Sequence, residues 1–441
     1  MRRLVSCALL LTALIINGCE SARLPVEAGT GPDPQLPQPN SSLIPTVVVA
    51  PAKGWPPGRV PTAASGLEVT QFAAGLDHPR WLYVLPNGDV LVAETNAQPK
   101  KKTGGIKGWF KRLFMKRAGA AVPSADRISL LRDGDGDGVA ETATVFRDGL
   151  TSPFGMALVE NDLYIANTDA LLRFRYESGA TELAGSPEKI VDLPAGEING
   201  HWTRNVVANG DGSLLYVSVG SDSNIAEHGI ERETNRAAIL EVDPRAKSFR
   251  VYASGLRNPV GMDWEPQTRA LWTVVNERDE LGSDLVPDYL TSVTPGGFYG
   301  WPYSYYGQTV DERVKPQRPD LVARALEPDY ALGPHTASLG LTFYEGTLFP
   351  ERYRGGAFIG QHGSWNRRPR SGYKVIYVPF ESGRPAGMPV DILTGFVSDD
   401  GNAYGRPVGV TVDRTGALLV ADDVGNVIWR ITPSGDGAAE D

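Results

Sequence analysis

Short apolar segments alternate with turns along most of this chain, and the same unit occurs six times. Each unit has a loop containing Gly or Pro, a short apolar strand, a turn of Gly, Asn or Asp, and a second apolar strand. This is the pattern of a β-hairpin, and helical periodicity is nearly absent outside one insertion. The six units begin near Gly75, Gly149, Gly200, Gly255, Ser338 and Gly405.

Hairpins repeated at this spacing predict a radial architecture. One such unit cannot bury both of its faces alone, so successive units pack face to face around an axis. The sequence therefore predicts an all-β chain folded as a six-bladed β-propeller over residues 66–433, with long loops on its top face. A two-sheet sandwich is the alternative, but it does not explain why the units share a motif at their heads.

Two insertions interrupt the repeat. Residues 98–125 carry many lysines and arginines and no acidic residue, and apolar residues recur at helical spacing over 106–114. This predicts one short basic amphipathic helix, which either packs on the propeller or contacts anionic lipid or an acidic redox partner. Residues 278–334 are rich in Tyr and Pro, and long loops of this kind commonly wall a ligand site.

The start of the chain predicts export. Arg2 and Arg3 precede an apolar run, as in a signal peptide over residues 1–18, and the run ends in Asn17-Gly18-Cys19, which resembles a bacterial lipobox. We expect lipid attachment at Cys19 and a location on the periplasmic side of a bacterial membrane. An ordinary secretory signal cut nearby is the alternative.

The segments that flank the predicted propeller are polar and irregular. Residues 19–65 are rich in Pro, Ser and Gly, which predicts an extended tether to the membrane. Residues 434–441 predict a frayed acidic tail. The 2 cysteines of the chain are Cys7, inside the predicted signal, and Cys19, so we expect no internal disulfide in the exported protein.

Charge and the absence of common motifs exclude several classes of function. A formal net charge of −9 argues against nucleic acid as a partner. The sequence has no Gly-x-Gly-x-x-Gly after a strand, no Walker-type loop and no Gly-x-Ser-x-Gly. It therefore indicates neither a nicotinamide or nucleotide cofactor nor α/β-hydrolase chemistry.

The heads of the units carry the candidate chemistry. His201 lies at the head of the third unit, and Arg257 and Asn258 lie at the head of the fourth. In a radial fold these heads converge on one mouth. An imidazole base beside a guanidinium suits oxidation of a hydroxyl by an anionic cofactor. His335 and His362, which flank the fifth unit, lack short metal-ligand spacing, so zinc is not indicated.

A separate acidic turn is a candidate for calcium. Asp133, Asp135 and Asp137 alternate with glycine, and Glu141 follows. Glycine lets such a loop curl so that several hard oxygens face one cation, which predicts a structural calcium ion. The alternative is an acidic hairpin turn, because Asp-Gly is common in turns. The pattern departs from an EF-hand, since Thr144 stands where a bidentate Glu would lie.

Four motifs together resemble the quinoprotein sugar dehydrogenases of the soluble glucose dehydrogenase type, and most closely their L-sorbosone dehydrogenase branch. The resemblance spans about residues 66–432 and implies a six-bladed propeller that binds pyrroloquinoline quinone (PQQ) beside calcium and oxidises a sugar, aldehyde or polyol. The motifs are Gly255-Leu-Arg-Asn-Pro259, Gly297-Phe-Tyr-Gly-Trp-Pro302, Gly360-Gln-His-Gly-Ser-Trp-Asn-Arg367 and the basic insertion before Val122-Pro-Ser-Ala-Asp-Arg127.

The resemblance also implies residue roles. His201 would be the general base while hydride passes to C5 of the quinone, and the main-chain oxygens of the segment Asn276-Glu277-Arg278 would hold the active-site calcium. One departure is Gly200, where glucose dehydrogenase has an acid before the base. A cofactor lysine on the fifth blade also lacks a counterpart near Gly363. The implied cofactor-binding residues are Arg257, Asn258, His335, Thr336, Gln361, His362, Arg367 and Arg406.

The sequence thus predicts an exported PQQ- and calcium-dependent dehydrogenase. Electrons would pass to an external acceptor, the quinone pool or a cytochrome, because the chain has no Cys-x-x-Cys-His for haem. One alternative is a calcium-dependent lactonase-type propeller hydrolase, which needs paired carboxylates at the axis, and none is apparent among the unit heads. The other is a non-catalytic propeller that binds glycan or protein at the cell envelope.

Overall fold

Each predicted hairpin forms the two inner strands of an antiparallel sheet in the computed structural model, which describes residues 20–40, 46–99, 113 and 115–435. Six such sheets of four or five strands are arranged as the blades of a propeller, so the predicted six-bladed fold is confirmed. The first strand of each blade contacts the first strand of the next around the axis.

Three strands precede the blades: β1 (Thr30–Gly31), β2 (Thr62–Ala63) and β3 (Leu67–Ala74). Blade 1 consists of β4 (Pro79–Val84), β5 (Val90–Glu94), β6 (Arg127–Arg132) and β7 (Thr142–Arg147). Blade 2 consists of β8 (Met156–Val159), β9 (Asp162–Ala166), β10 (Ala170–Arg175) and β11 (Glu188–Asp192). Blade 3 consists of β12 (Val206–Ala208), β13 (Leu215–Val219), β14 (Ala238–Asp243) and β15 (Ser248–Ser254).

Blade 4 consists of β16 (Asn258–Trp264), β17 (Leu271–Asn276), β18 (Pro287–Ser292) and β21 (Tyr330–Pro334). Blade 5 consists of β22 (Ser338–Phe343), β23 (Ala357–Gln361), β24 (Lys374–Val378) and β27 (Val390–Thr394), and blade 6 of β28 (Pro407–Val412), β29 (Leu418–Asp422) and β30 (Val427–Pro433). The remaining elements are the pairs β19 (Ser304–Tyr305) with β20 (Thr309–Val310) and β25 (Phe380–Glu381) with β26 (Arg384–Pro385), helix α1 (Pro319–Val322), and 3-10 turns at Val26–Gly29, Ile230–Glu233 and Glu351–Tyr353.

The ring is closed by the first strand of the propeller. β3 pairs antiparallel with β30, from Leu67 opposite Pro433 to Ala74 opposite Val427, and so completes blade 6. A closed ring protects the edges of the sheets from pairing with other chains.

Burial on both faces explains the apolar runs that the repeat pattern detected. Every residue of β5 and of β13 is buried, because the second strand of a blade packs against a neighbouring blade on each side. Such strands have continuous apolar runs instead of the alternation of a half-exposed strand. The core between blades 2 and 3, for example, contains Leu171, Val217 and Leu240.

The segment predicted as a tether lies against the propeller wherever the structure describes it. We call residues 20–40 and 46–65 the N-terminal segment. In it β1 adds a fifth strand to blade 4 and β2 adds a fifth strand to blade 5. Trp55 packs edge-on against Phe396 and Trp429, with ring centroids 5.4 and 5.3 Å away. Proline keeps this segment from forming a long strand, so side-chain packing and separate main-chain hydrogen bonds, such as Val48 N to the Trp365 oxygen at 2.7 Å, hold it.

Several predictions fall outside the described residues. The predicted signal peptide, Cys19, most of the predicted basic helix (residues 100–112 and 114) and the tail from residue 436 are among these. The end of the basic insertion is described, and the main-chain oxygen of Arg117 accepts from Ala52 of the N-terminal segment at 2.8 Å. Within the described residues, no helix is both long and apolar enough to cross a membrane.

Candidate active site

A cavity of about 330 Å³ lies where the heads of the blades meet, and its size is in the range of small-molecule sites. Its wall comes from blades 1, 4 and 5 and from the loop that precedes β12 of blade 3. The lining residues are Arg80, Gly200, His201, Trp202, Thr203, Arg257, Asn258, Asn276, Glu277, Asp279, Asp288, His335, Ala337, Leu339, His362, Gly363, Trp365 and Asn366. We call this space the central cavity.

The structure brings most of the sequence-predicted site residues together. The predicted residues in the lining are His201, Arg257, Asn258, Asn276, Glu277, His335 and His362. Two others lie just behind it, where Thr336 Oγ1 donates to Asp288 Oδ2 at 3.2 Å and Gln361 Nε2 donates to the Leu332 oxygen at 3.1 Å. In this structure both side chains support the wall instead of facing the cavity.

His201 has a defined tautomer. Its Nδ1 lies 2.9 Å from the main-chain oxygen of Ser221 and 3.0 Å from Ser221 Oγ. Ser221 Oγ donates its proton to the Ser223 oxygen at 2.6 Å, so both oxygens near Nδ1 act as acceptors. The proton therefore lies on Nδ1, and the basic lone pair lies on Nε2.

Two glycines allow the close packing around His201. A Cβ on Gly220 would lie 2.5 Å from His201 Cβ and would also collide with Asn258 Oδ1. A Cβ on Gly200 would lie 2.5 Å from the main-chain oxygen of Asp222. Because no side chain fits at Gly200, the acid expected before the base has no room in this loop.

Arg257 holds the chain segment that was expected to bind calcium. Its Nη1 donates to the main-chain oxygens of Glu277 at 2.6 Å and Asn276 at 3.3 Å, and its Nη2 donates to Asn224 Oδ1 at 2.9 Å. A divalent cation at those two carbonyl oxygens would lie against a guanidinium, and like charges repel strongly at contact distance. In this structure the guanidinium of Arg257 therefore lies where the calcium ion was expected.

The side chain of Arg278, the third residue of this segment, lies outside the lining of the cavity. Its side chain is fully buried and pairs with Glu277 and Asp311 at 3.0 and 3.2 Å. The same guanidinium donates to the main-chain oxygens of Pro302 and Ser304 at 2.8 and 2.6 Å. Arg278 thus anchors the Tyr-rich insertion behind the cavity wall.

The lining also contains carboxylates that the sequence analysis missed. Asp279 lies 3.6 Å from Arg257 Nη2 and 3.4 Å from His335 Nδ1. Burial opposes its ionisation, but these partners hold the pKa of Asp279 well below its usual value. Burial also opposes the charged form of His335, yet the hydrogen bond and the charge of Asp279 raise the pKa of His335.

Asp288 has the opposite behaviour. It is 2% exposed and accepts from the main-chain nitrogens of Glu277 and Ser338 at 3.0 and 3.1 Å. Burial raises the pKa of Asp288 to about 6, and the hydrogen bonds counteract this only in part. Asp279 is therefore ionised at neutral pH, whereas Asp288 becomes protonated in mildly acidic conditions.

A buried carboxylate joins blades 1, 5 and 6 beneath the cavity. Asp423 Oδ2 accepts from Arg80 Nη1 at 2.6 Å and lies 2.8 Å from His362 Nε2 and 3.5 Å from His78 Nε2. Burial dominates over the attraction of Asp423 and lowers the pKa of His362 to about 4. Arg80 thus provides a permanent positive charge in the lining, and His362 is neutral at neutral pH.

Arg367 and Arg406, which were expected to bind the cofactor, bind the N-terminal segment instead. Arg367 Nη2 donates to the Leu24 oxygen at 2.9 Å, and Arg406 Nη2 donates to the Ala50 oxygen at 3.0 Å. Both side chains are buried outside the lining of the cavity. Arginine binds this segment because the main-chain carbonyls of an irregular segment need hydrogen-bond donors as much as an anionic ligand does.

The acidic turn has the geometry of a possible cation site. One ligand oxygen from each of Asp133, Asp135, Asp137 and Glu141 lies within 4.8 Å of the others. The same carboxylates accept main-chain N–H groups within the turn, such as Gly138 onto Asp133 Oδ2 at 2.9 Å. The arrangement fits both a calcium site and an acidic turn held by its own main chain.

Some of the missed lining residues had a signal in the sequence. Arg80 directly follows Pro79 at the head of the first unit, as Val260 follows Pro259 in the fourth, and Asp279 directly follows the segment 276–278. Asp288 had no comparable signal, because only the pairing of β17 with β18 brings it beside that segment.

The arrangement combines a base with fixed cations. His201 offers a basic Nε2, Arg80 and Arg257 provide permanent charge, and Trp202 and Trp365 provide flat apolar surfaces in the same lining. Such a site suits a planar anionic group next to a small hydroxylated molecule.

Protein-family profiles match most of the chain. One described as "Domain of unknown function (DUF7133)" matches residues 62–364, and one described as "TrAA12-like" matches residues 316–434. An uncharacterized protein of Borreliella burgdorferi is 29% identical over 294 residues, which cover 64% of this chain and 76% of that protein. A PQQ-dependent pyranose dehydrogenase of Coprinopsis cinerea is 27% identical over 292 residues, which cover 52% of this chain but only 39% of that protein.

Solved structures share the fold over almost the whole chain. The holo form of the pyranose dehydrogenase PQQ domain from Coprinopsis cinerea superposes with a TM-score of 0.68 at 22% identity, covering 87% of this chain and 100% of that chain. The calcium structure of Trichoderma reesei Carbohydrate-Active Enzymes Family AA12 also has a TM-score of 0.68, at 19% identity, covering 89% of this chain and 100% of that chain. These neighbours confirm the fold, and together with the pyranose dehydrogenase that is 27% identical in sequence they confirm the predicted resemblance to the quinoprotein sugar dehydrogenases.

Replacing Asp423 with Asn should strongly destabilise the protein. The variant leaves the buried guanidinium of Arg80 without its anion, and breaking a buried pair in this way costs about 3–5 kcal/mol. The measurement is the free energy of unfolding from urea titration. Asp391→Asn is the control, because its pair with Lys374 lies at the surface and exposed pairs contribute about 0–1 kcal/mol. Equal losses in the two variants would contradict the role given to Asp423.

Proposed function

The chain belongs to the family described as "Domain of unknown function (DUF7133)", and we propose that it is a PQQ-dependent dehydrogenase that oxidises a sugar or a related aldehyde or polyol. The observation that carries this proposal is the position of His201. Its Nε2 carries the basic lone pair, and it shares the central cavity with the guanidinium groups of Arg80 and Arg257.

The residues of the central cavity fit a planar molecule with several carboxylates. Arg80 Nε and Asn258 Oδ1 are buried without a hydrogen-bond partner, which is costly unless a ligand completes their bonding. The guanidinium groups of Arg80 and Arg257 in the lining can pair with the carboxylates of such a ligand. The indoles of Trp202 and Trp365 can pack against its flat ring system. When bound, PQQ supplies the acceptor for two electrons.

The residues of the chain prepare the substrate. His201 Nε2 takes the proton of the substrate hydroxyl group while the carbon that bears this hydroxyl is oxidised. General-base catalysis of this kind accelerates a reaction about 10²–10⁴-fold. Ser221 keeps the imidazole in the required tautomer through its two oxygens. The sorbosone specificity suggested by the sequence motifs is part of this proposal.

Calcium has no step in this mechanism. The carbonyl oxygens of Asn276 and Glu277 accept from Arg257, so the segment as arranged does not fit the ion. We propose instead that calcium binds the turn at Asp133, Asp135 and Asp137 and stabilises blade 1. The calcium structure of the Trichoderma reesei neighbour supports the use of this ion in the fold.

A hydrolase is the second candidate, because the cavity contains three carboxylates, two of which the sequence analysis did not find. Glu277, Asp279 and Asp288 line it together, and a lactonase-type propeller needs acidic groups at the axis. Asp279 is bound to Arg257 and His335, however, and Asp288 is bound to main-chain nitrogens. These contacts favour a supporting role for the carboxylates, and hydrolysis of lactones is the competing outcome in assays.

We further propose that the protein is a lipoprotein on the periplasmic side of a membrane and passes electrons to an external acceptor, the quinone pool or a cytochrome. Glu20, which follows the predicted lipidated residue Cys19, is held at the propeller because its Oε2 accepts from Ser283 N at 2.9 Å and Oγ at 2.6 Å. A lipid on Cys19 would therefore be attached close to the propeller.

The variant His201→Ala should lose dye reduction while keeping the cofactor. Full-length protein is loaded with PQQ, and reduction of an artificial dye is followed with aldoses, sorbosone, polyols and lactones. We expect kcat to fall about 10²–10⁴-fold because the base is lost, with PQQ binding by fluorescence titration within a few-fold of the original. His228→Ala, at an exposed site, is the control. Absence of PQQ binding at micromolar concentrations, or lactone hydrolysis without dye reduction, would reject the dehydrogenase.

Calcium should stabilise the protein through the acidic turn. Thermal unfolding is measured with calcium and with chelator, for the original protein and for Asp135→Asn, which removes a ligand charge. We expect the calcium-dependent rise in Tm to disappear in the variant, because binding to the folded state alone produces the stabilisation. A rise that persists unchanged would place the ion elsewhere in the molecule.

Lipid attachment should depend on Cys19. Cells that express the full chain are fed a labelled fatty acid, and the label on the protein is compared between the original and Cys19→Ser. We expect label and membrane association in the original and their loss in the variant. Equal labelling of both proteins would exclude Cys19 as the site, and no labelling of either would support an ordinary secretory signal.

A further inference from the structure

The loop that carries His201 is held from below by two arginines. It connects β11 to β12, and its top contacts the next loop, where Gly200 N donates to the Asp222 oxygen at 3.0 Å. From the interior, Arg204 Nη1 donates to the main-chain oxygen of His201 itself at 2.9 Å. The backbone of the proposed base is therefore fixed directly by a guanidinium.

The two guanidinium groups meet at one neutral atom. Asn199 Oδ1 accepts from Arg204 Nη2 at 3.2 Å and from Arg236 Nη1 at 3.0 Å. Arg204 also donates to the main-chain oxygens of Thr203 at 2.8 Å and Pro194 at 2.5 Å, and Arg236 to that of Ala195 at 2.8 Å. Together they bind carbonyl groups along most of the loop.

This pairing is expensive if it serves folding alone. Arg204 is fully buried, and burial together with the charge of Arg236 lowers the pKa of Arg204 to about 9. Two like charges in a dry interior destabilise the folded state, and apolar residues of similar volume often replace such groups without loss of stability. The position of the pair next to the proposed base suggests why it is present.

We propose that Arg204 and Arg236 are positioning residues for His201. They fix the loop so that the imidazole faces the central cavity, and their positive charge favours the neutral imidazole that can accept a proton. This inference rests on the proposed function, because it assigns the pair to the reaction in which His201 is the base.

Other charged groups also surround the loop, so the test must separate their effect from that of the pair. The β13–β14 loop above it carries Asp222, Arg232 and Glu233. Glu197 lies within the loop itself, and Asp169 lies on the β9–β10 turn. Across the cavity, the loop faces Arg80, Arg257 and Asp279. Variants of Arg204 and Arg236 leave all of these unchanged.

Two substitutions at one position separate charge from geometry. Arg204→Met removes the charge, and Arg204→Lys keeps it but cannot make the same set of hydrogen bonds. The titration of His201 is measured by NMR of its ring proton in protein without cofactor, where only 5 histidines contribute signals and His201→Ala assigns the peak. The pH profile of kcat/KM is measured with PQQ-loaded protein.

With Met, loss of a nearby positive charge should raise the pKa of His201 by roughly 0.5–1 unit and move the acid limb of the profile equally to higher pH. With Lys, the pKa should stay nearly constant while the plateau of kcat/KM falls about 10-fold, because the loop is less well positioned. Arg250→Met, on the exposed outer strand of the same blade, is the control and should change neither.

An unchanged pKa of His201 in Arg204→Met would overturn the electrostatic part of the inference, and a plateau within about twofold in Arg204→Lys would overturn the positioning part. If Arg204→Met does not fold by circular dichroism, Arg236→Met provides the same comparison. Because the NMR titration needs no cofactor, it decides the electrostatic part of the inference even if the protein does not reduce dye. Failure of the dehydrogenase assay alone would count against the proposed function and not against the pair.

Discussion

Buried guanidinium groups that donate to main-chain carbonyls hold the top face of this propeller together. The loops there have little regular secondary structure, so their carbonyl oxygens need donors from elsewhere. Arginine suits this task because it presents five N–H groups in one rigid plane. Arg257 binds the carbonyls of Asn276 and Glu277, and Arg278 binds those of Pro302 and Ser304. The central cavity exists because these loops are fixed around it.

The same arginines determine the electrostatics of the cavity. The chain has a formal net charge of −9, yet Arg80 and Arg257 place permanent positive charge in the lining. Neighbouring histidines and then these arginines hold the pKa of both Asp423 and Asp279 well below its usual value: His362, His78 and Arg80 act on Asp423, and His335 and Arg257 act on Asp279. Each of these two guanidinium groups is paired with a carboxylate, so the cavity holds charges of both signs side by side.

The fold was predictable because its signal is local. The inner strands of each blade are buried on both faces, so each unit has two short apolar runs, and six units give six blades. His201 and Arg257 were predictable for a related reason, since each lies at the head of a unit and the heads meet at the axis. The place of Asp288 was not predictable, because Asp288 lies within β18 and reaches the cavity only through the pairing of β18 with β17.

The sequence by itself determined the number of blades and the convergence of their heads, because both follow from a short repeated pattern. Only the tertiary structure decided which arginines face the cavity and which bind backbone. Arg367 and Arg406 were expected to bind an anionic cofactor, and the segment before the propeller was expected to be a tether. In the structure these arginines contact that segment, because Arg367 binds the carbonyl of Leu24 and Arg406 that of Ala50, across separations of 343 and 356 residues. An arginine looks the same in the sequence whether its guanidinium binds a ligand or a distant main-chain carbonyl. Only the folded chain decides which of these acceptors lies within its reach.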